Sequence, residues 1–321
     1  MNIGIVGLGH LGKIHIKLLK ELNAFNVSTV FDIDKDIMSA CGSQYYIKTA
    51  STYEEFLTHC DAVCVVTPTP THYDLASKAI KQGKHVFIEK PATDAIDDIK
   101  KLIKLTREAN VKVQVGHVER FNPAFIAAEK YIQQPFLFEV HRLACYNKRG
   151  TDVSVVLDLM IHDIDLILSI VKSKIKRISA TGTNVVSKTA DLVNARIEFE
   201  NGCTANLTAN RVATSNVRKI RAFQKDTCVH IDLLNKLATV NHIAPLISNQ
   251  KNNPIVIDTG EGNQMYGIHQ SQPMIESGNA LKTELEHFYN SITQNMPVPV
   301  SLLDAENALH VAKEIESLIK H

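Results

Sequence analysis

The stretch NIGIVGLGHLG, residues 2–12, decides how the first third of this chain is read. A short apolar β run ends in Gly7, Gly9 and Gly12, the spacing GxGxxG. HLGKIHIKLLKEL follows, with Leu11, Ile14, Leu18 and Leu22 at helical spacing. Gly7 permits a tight turn, Gly9 lets the backbone approach a pyrophosphate, and Gly12 lets helix and strand pack closely. A pyrophosphate then sits on the helix N-terminus, where free N–H groups and the helix dipole favour anions. His10 and Leu11 stand in that first turn and join the three glycines as expected cofactor contacts. A lone glycine fingerprint is weak. Here it follows a strand and opens a helix, and Asp32 answers it at the end of the next strand, about 20 residues on. A carboxylate there accepts from both ribose hydroxyls of NAD and repels the 2′-phosphate of NADP. No arginine follows it closely, so the pattern points to NAD as cofactor.

Outward from this motif the chain alternates. TYEEFLTHC carries a Thr52/Glu55 capping box and starts a helix. DAVCVVTPT is a fully apolar strand, as central parallel strands are. HYDLASKAIKQGK is a helix stopped by Gly83, HVFIEKP the next strand, DAIDDIKKLIKLTREAN the next helix, and VKVQVGHVERF another strand. This grammar predicts an α/β domain over residues 1–119, a doubly wound parallel sheet with helices on both faces. From residue 120 to 321 it predicts a separate α+β domain with a mainly antiparallel sheet. SVVLDLMIHDIDLILSIV reads as one helix of roughly four to five turns, with Val155, Leu159, His162, Leu166 and Ser169 along one face. Ala195, Ile197 and Phe199 alternate with polar residues, and Asn201-Gly202 reads as a two-residue hairpin turn. Residues 243–278 lack periodicity and read as loop with one short strand, and two helices close the chain.

Composition narrows the function classes. The chain has 321 residues, 45% hydrophobic and 21% charged, with a formal charge of +1. Bulk charge gives no reason to expect a nucleic-acid partner. No apolar run reaches the ~18 residues that span a bilayer, so no membrane partner is expected. The N-terminus lacks the basic region and cleavage site of a signal peptide. Cysteines at 41, 60, 64, 145, 203 and 228 form no CxxC pair or zinc-type spacing, which suits a reducing compartment. A cytoplasmic protein is expected.

Chemistry-bearing residues gather at the predicted carboxyl edge of the parallel sheet, where such folds bind ligands. Thr67, Pro68 and Thr69 form the third strand's exit, and His72 sits in the following helical turn, as a cofactor contact or simply a residue that starts a helix. Glu89 and Lys90, expected cofactor contacts like Thr67, Pro68 and Thr69, end the next strand before Pro91. That is either a solvated strand end or a lysine aimed at a substrate, and the Lys90–Pro91 isomer is open. Asp158 and His162, four apart on an apolar helix, share a face. They read as a poised base with its supporting carboxylate, or as a satisfied core histidine; Asp163 and Asp165 add charge nearby, or a solvated acidic face. No further ligand stands at a metal spacing, so no metal is expected. Arg120, next to Asn122-Pro123, reads as a fork for substrate oxygens or as an interdomain salt bridge. His117 and Glu119 are pocket candidates by position. Lys148 and Arg149 lie in a loop where they meet a diphosphate or solvent.

GIVGLGHLG, TPTPTHYDLASKAIKQGKHVFIEKPAT and DLMIHDIDL together resemble the Gfo/Idh/MocA family of NAD(P)-dependent sugar and cyclitol oxidoreductases. The resemblance spans both domains. It implies that Lys90 is the catalytic lysine and that Asp158 and His162 are the active-site pair; these three, with His117, Arg120 and Asn122 by their position, are the expected substrate contacts. It also implies an open sheet in the second domain that builds homodimers or homotetramers. GHVERFNPAF and DVSVVLDLMIHDID look like the branch that oxidises C3 of UDP-linked N-acetylamino sugars, whose 3-keto product passes to a pyridoxal-phosphate aminotransferase. One departure stands out: many relatives carry glycines just before the aspartate, where this chain has Ser154, Val155, Val156 and Leu157. An inositol or free-sugar dehydrogenase of the same family is the nearest rival. A non-catalytic NAD-binding regulator is another, though it needs no Lys90 with Asp158 and His162.

Overall fold

The computed structural model describes residues 1–147, 153–246, 255–258 and 265–319; Lys148 and Arg149 lie outside the described residues. The chain divides into two compact units, 1–118 with 279–310, and 119–278 with 311–321.

In the first unit the strands are β1 (Asn2–Val6), β2 (Asn26–Phe31), β3 (Lys48–Thr49), β4 (Ala62–Val65), β5 (His85–Glu89) and β6 (Val113–Gly116). They form one parallel sheet in the order β3-β2-β1-β4-β5-β6. The order reverses at β1, which puts a crevice at the carboxyl ends of β1 and β4. The intervening helices are α1 (His10–Leu22), α2 (Lys35–Tyr45), α3 (Tyr53–Thr58), α4 (His72–Lys81) and α5 (Ile96–Ala109). The Thr52 hydroxyl accepts the Glu55 N–H at 3.1 Å and starts α3, while the Glu55 carboxylate reaches back to the Ser51 N–H at 2.7 Å. The capping box thus closes one residue earlier than the usual pattern.

The buried stripe of α1 is Gly12, His15, Ile16, Leu18 and Leu19, while Leu11 and Ile14 are exposed. The glycine turn explains this rotation from the predicted stripe. A Cβ on Gly12 would lie 2.0 Å from the Gly7 carbonyl oxygen, so the Gly12 side of the helix is pressed against the turn. Ile3, Ile5, Ile16, Leu19, Val30, Cys64 and Phe87 make one buried cluster there.

After the second unit the chain returns. Helix α8 (Ala280–Thr293) packs on α1 and contributes Leu285 and Phe288 to the same cluster. A single break at 119/120 therefore does not describe the division. Two apolar side chains on a late helix complete a core that the first 118 residues leave open, and nothing local in the sequence reports such a long-range contact.

The second unit holds α6 (Pro123–Glu129), β7 (Leu137–Cys145), a π-helical turn at Val156–Met160, α7 (Ile161–Ile170), β8 (Ile175–Thr183), β9 (Leu192–Phe199), β10 (Thr204–Ala213), β11 (Val217–Phe223), β12 (Thr227–Asp232), β13 (Leu237–Pro245), β14 (Ile255–Asp258) and β15 (Met265–Ser271). The helix α9 (Leu302–Leu318) begins in the first unit and ends in the second. The strands form a nine-stranded sheet, β14-β15-β13-β12-β11-β7-β10-β9-β8, antiparallel except for β7 with β10. Alternation holds where expected: Ala195, Ile197 and Phe199 are buried.

Three details differ from the sequence reading. The β9–β10 connection is a type I turn followed by a left-handed glycine. The Gly202 N–H donates to the Phe199 carbonyl at 3.1 Å, and Gly202 alone in the turn has positive φ, +88°. A two-residue I′ turn needs positive φ at both central residues, and this three-residue form puts only glycine there. The segment 243–278 contains the end of β13 and two further strands among the described residues. Ile255, Val256 and Ile257 of β14 are all exposed, so the one-sided burial that produces alternation is missing. The long helix opens as a π turn, in which the Ile161 N–H donates to the Val156 carbonyl five residues back. Such turns recur at functional sites, and no periodicity count separates them from α-helix over five residues.

Candidate active site

The first unit delivers a row of groups at one sheet edge. Five adjacent strands, β2, β1, β4, β5 and β6, end at Asp32, Gly7, Thr67, Lys90 and His117 respectively, each within two residues of its strand's last residue. The glycine turn fits a dinucleotide. Gly7 has φ +91°, and a Cβ there would meet the Val66 carbonyl at 2.6 Å. Gly9 has nothing within 4 Å of the place a Cβ would take, so the backbone there is open to a phosphate. His10 and Leu11 are exposed beside it, at the start of α1. The Gly7 N–H donates to the Phe31 carbonyl at 3.0 Å and ties the turn to the end of β2. Asp32 follows directly. Its carboxylate accepts the Leu8 N–H at 2.7 Å and the Asp34 N–H at 3.0 Å, which fixes its orientation beside the turn. Past β4, Thr67 and Pro68 lead into a 3-10 turn at Thr69–Thr71. The Thr71 hydroxyl bonds to the Thr67 hydroxyl and to the Pro68 carbonyl, at 2.7 and 2.8 Å.

His72 is fully buried, with Nε2 2.7 Å from the Thr67 carbonyl oxygen and Nδ1 3.0 Å from that of Pro91. Burial pulls its pKa below the ordinary histidine value, so the neutral ring donates one of these contacts. With no exposed surface, it braces two strand exits. Glu89 is turned inward as well. Its Oε1 accepts from His15 Nε2 at 2.8 Å, and its Oε2 accepts the Lys90 N–H at 3.2 Å. The Lys90–Pro91 bond is cis, and Lys90 itself is half-buried. His117 is buried, with its N–H donated to the Val115 carbonyl.

In the second unit Asp158 lies within the π turn and His162 in the first turn of α7, both half-buried. The residues around them are clamped. Arg120 forks Asp165, Nε to Oδ2 at 2.7 Å and Nη2 to Oδ1 at 2.6 Å. Arg142 does the same to Asp163, at 2.8 and 2.7 Å, and also donates to Glu119 at 2.8 Å. Asp163 and Asp165 are buried ion-pair partners, which removes the reading of a solvated acidic face. Arg120 belongs to an ion pair inside the second unit, because Asp165 shares that unit. Asn122 caps α6: its oxygen accepts the Ala124 N–H, and its amide donates to Glu119 and to the Leu233 carbonyl, each at 3.0 Å. Both its N–H donors are engaged by protein in this structure. Among the described residues no cluster of three or more His, Cys, Asp or Glu could hold a metal, and no helix is long and apolar enough to cross a membrane.

The Glu119–Arg142–Asp163 group was not found by motif. A signal existed: Arg142 takes the inward register after Phe138 and Val140 on β7. A charge at an inward strand position must bring partners with it. Those partners set the electrostatics. Burial raises Asp163 above the ordinary aspartate range despite Arg142 beside it. Burial acts upward on Glu119 too, but the Arg142 charge and hydrogen bond outweigh it and hold Glu119 below its ordinary value. Arg142 is held above its own: burial opposes the charge, and Asp163 and Glu119 overcome that.

Comparisons with known proteins agree with this architecture. Residues 1–117 match the family described as "Oxidoreductase family, NAD-binding Rossmann fold", and residues 132–226 match "GFO/IDH/MocA C-terminal domain". UDP-N-acetylglucosamine 3-dehydrogenase from Acidithiobacillus ferrooxidans is 30% identical over 303 residues, which span 93% of this chain and 90% of that enzyme. A solved structure of that organism's UDP-N-acetylglucosamine 3-dehydrogenase GnnA superposes with a TM-score of 0.88 at 28% identity, covering 99% of this chain and 97% of the other. Inositol 2-dehydrogenase from Rhizobium meliloti is 25% identical over 331 residues, 97% of this chain and 94% of the enzyme. With both of its halves matched in this way, the chain belongs to the Gfo/Idh/MocA oxidoreductase family, and its first 117 residues are that family's NAD-binding Rossmann fold.

Proposed function

We propose that this protein oxidises the C3 hydroxyl of a UDP-linked N-acetylamino sugar by hydride transfer to NAD. The observation that carries the substrate class is the likeness, along nearly the whole chain, to a UDP-N-acetylglucosamine 3-dehydrogenase. NAD, when bound, supplies the acceptor for the hydride. The chain's own residues supply the rest. His162 takes the hydroxyl proton as general base. Lys90 donates a hydrogen bond to the same oxygen and stabilises its developing negative charge. Asp158, one turn before His162, supports the imidazolium that forms. The Arg120–Asp165 and Arg142–Asp163 forks hold the helix that carries this pair, so the base is presented by a rigid element.

The departure at residues 154–157 bears on the sugar site. Val155 and Val156 are fully buried, and the Ser154 hydroxyl bonds to the Glu316 carboxylate, so these side chains are spent on packing. The family resemblance further supports a homodimer or homotetramer, a cytoplasmic location, and a pyridoxal-phosphate aminotransferase as consumer of the 3-keto product.

Incubating the protein with UDP-N-acetylglucosamine, NAD and a ketone trap is expected to produce NADH, with free glucose and myo-inositol giving little. NADH from the free polyols and none from the nucleotide sugar would replace this substrate with a cyclitol or free sugar. Cofactor choice has its own test. Wild-type protein is expected to bind NADH more tightly than NADPH. Asp32→Ala should narrow that preference about tenfold or more, since a hydrogen bond to a charged group contributes roughly 1.5–3 kcal/mol. Tighter NADPH binding by the wild type would remove Asp32 from the ribose site.

A further inference from the structure

We propose that His15 is a positioning residue for Lys90, acting through the carboxylate of Glu89; the inference rests on the reading of Lys90 as the group that meets the reacting oxygen. His15 lies one turn into α1, three residues past Gly12, and is fully buried. Its Nε2 is 2.8 Å from Glu89 Oε1, and its Nδ1 is 3.3 Å from Cys64 Sγ on β4. The Phe87 ring closes a third side, with ring centroids 5.5 Å apart. The second Glu89 oxygen receives the Lys90 N–H. Gly116 at the end of β6 makes the space: a Cβ there would lie 3.0 Å from Glu89 Oε2. The carboxylate is therefore a bridge. One oxygen is held by the helix that begins at the dinucleotide turn, and the other holds the backbone from which the lysine departs.

The pair is ionic. Burial alone lowers the His15 pKa, but the Cys64 sulfur and the Glu89 carboxylate raise it well above the ordinary histidine value. Burial pushes Glu89 up, and His15 and Lys90 outweigh that and hold it below its ordinary value. A buried ion pair adds little net stability compared with well-packed apolar side chains, so stability alone is a poor account of it. A fixed direction for residue 90 is a better one, because an error of about 1 Å in a reacting group can cost roughly a hundredfold in rate.

The test uses the full chain with bound cofactor. His15→Leu removes the donor to Glu89, and His15→Gln keeps an amide donor near the Nε2 position; each is made alone and with Lys90→Ala. Three quantities are read: NADH affinity by fluorescence, kcat and KM on whichever sugar alcohol turns over, and the NMR signal of isotopically methylated Lys90, assigned by its loss in Lys90→Ala. His15→Leu is expected to lower kcat by about ten- to a hundredfold. KM and NADH affinity should stay within about threefold, and His15→Gln should recover most of the loss. In the Lys90→Ala background the His15 change should cost nothing further, and the Lys90 signal should move in His15→Leu. If the loss persists undiminished without Lys90, or NADH affinity falls in step with kcat, His15 is only a core residue and the proposal fails. Should His15→Leu not fold, His15→Gln and Glu89→Gln carry the same comparison. If no alcohol turns over, the proposed function fails on its own; the Lys90 signal then decides, and an unmoved signal overturns the positioning role.

Discussion

Lys90→Ala is expected to lose turnover by about 10²–10³-fold while still binding NADH, the loss typical of removing one preorganised donor to a developing oxyanion, roughly 2.7–4 kcal/mol. Val86, Phe87 and Ile88 of β5 are fully buried, so the strand cannot shift. Glu89 is anchored to His15, and its other oxygen holds the Lys90 N–H. The amine therefore starts from a fixed point at the carboxyl edge of the sheet. Its charge is needed only when the alcohol oxygen becomes negative, so kcat should carry the effect and NADH affinity should not. Lys90→Arg tests geometry against charge: a guanidinium keeps the charge but not the reach, and should recover only part of the rate. Turnover by Lys90→Ala within about threefold of wild type would take Lys90 out of the chemistry.

Arg142→Met is expected to destabilise the protein by about 3–5 kcal/mol, the cost of leaving buried charge uncompensated. Arg142 is 3% exposed and is shared by Asp163 and Glu119, themselves 3% and 5% exposed. Two carboxylates lose their common cation at once, and Arg218 remains 3.3 Å from Glu119 and acts on Asp163 through its charge. The deficit has a sign with pH. Glu119 is held below its ordinary value of 4.5, so its contribution is present above that pH and fades as pH falls through its folded value. Asp163 is raised above its ordinary 3.8, so it favours the folded state below that value and loses this contribution as pH rises through its folded value. At neutral pH Arg142 is what makes an ionised Asp163 tolerable. Without it both carboxylates take up protons more readily, so the variant's deficit should be larger at alkaline than at mildly acidic pH. Denaturant titration at two pH values measures this; a loss below about 1 kcal/mol, or none of this pH dependence, would mean the network relaxes or admits water. The same clamp holds the segment bearing Asp158 and His162, so folded Arg142→Met should also turn over more slowly.

The glycine turn, Asp32 and the alternation of strands with helices were legible because their causes are local. A tight turn, a phosphate-approaching backbone and a fully buried strand each demand particular residues in a particular order. Lys90, Asp158 and His162 each admitted a structural and a chemical reading in the sequence, and the family resemblance is what favours the chemical one. Less could be read of what those groups touch. His72, Arg120 and Asn122 looked like ligands by residue type, and each is engaged by protein. A buried polar group must find a partner, but its identity depends on segments distant in sequence: Asp165 is 45 residues from Arg120, and Leu233 is 111 from Asn122.

By itself the sequence determined the fold class, the dinucleotide turn and the strand ends at which Asp32 and Lys90 stand, since steric and hydrogen-bonding rules act over a few residues there. Only the tertiary structure decided which face of α1 is buried, that α8 completes the first core, that the helix bearing Asp158 opens as a π turn, and that His15 and Arg142 are the hidden partners of Glu89 and Asp163. Those outcomes depend on desolvation. A charge or an imidazole is free to face water until packing removes it, and only then does the need for an opposite partner select one residue among many along the chain.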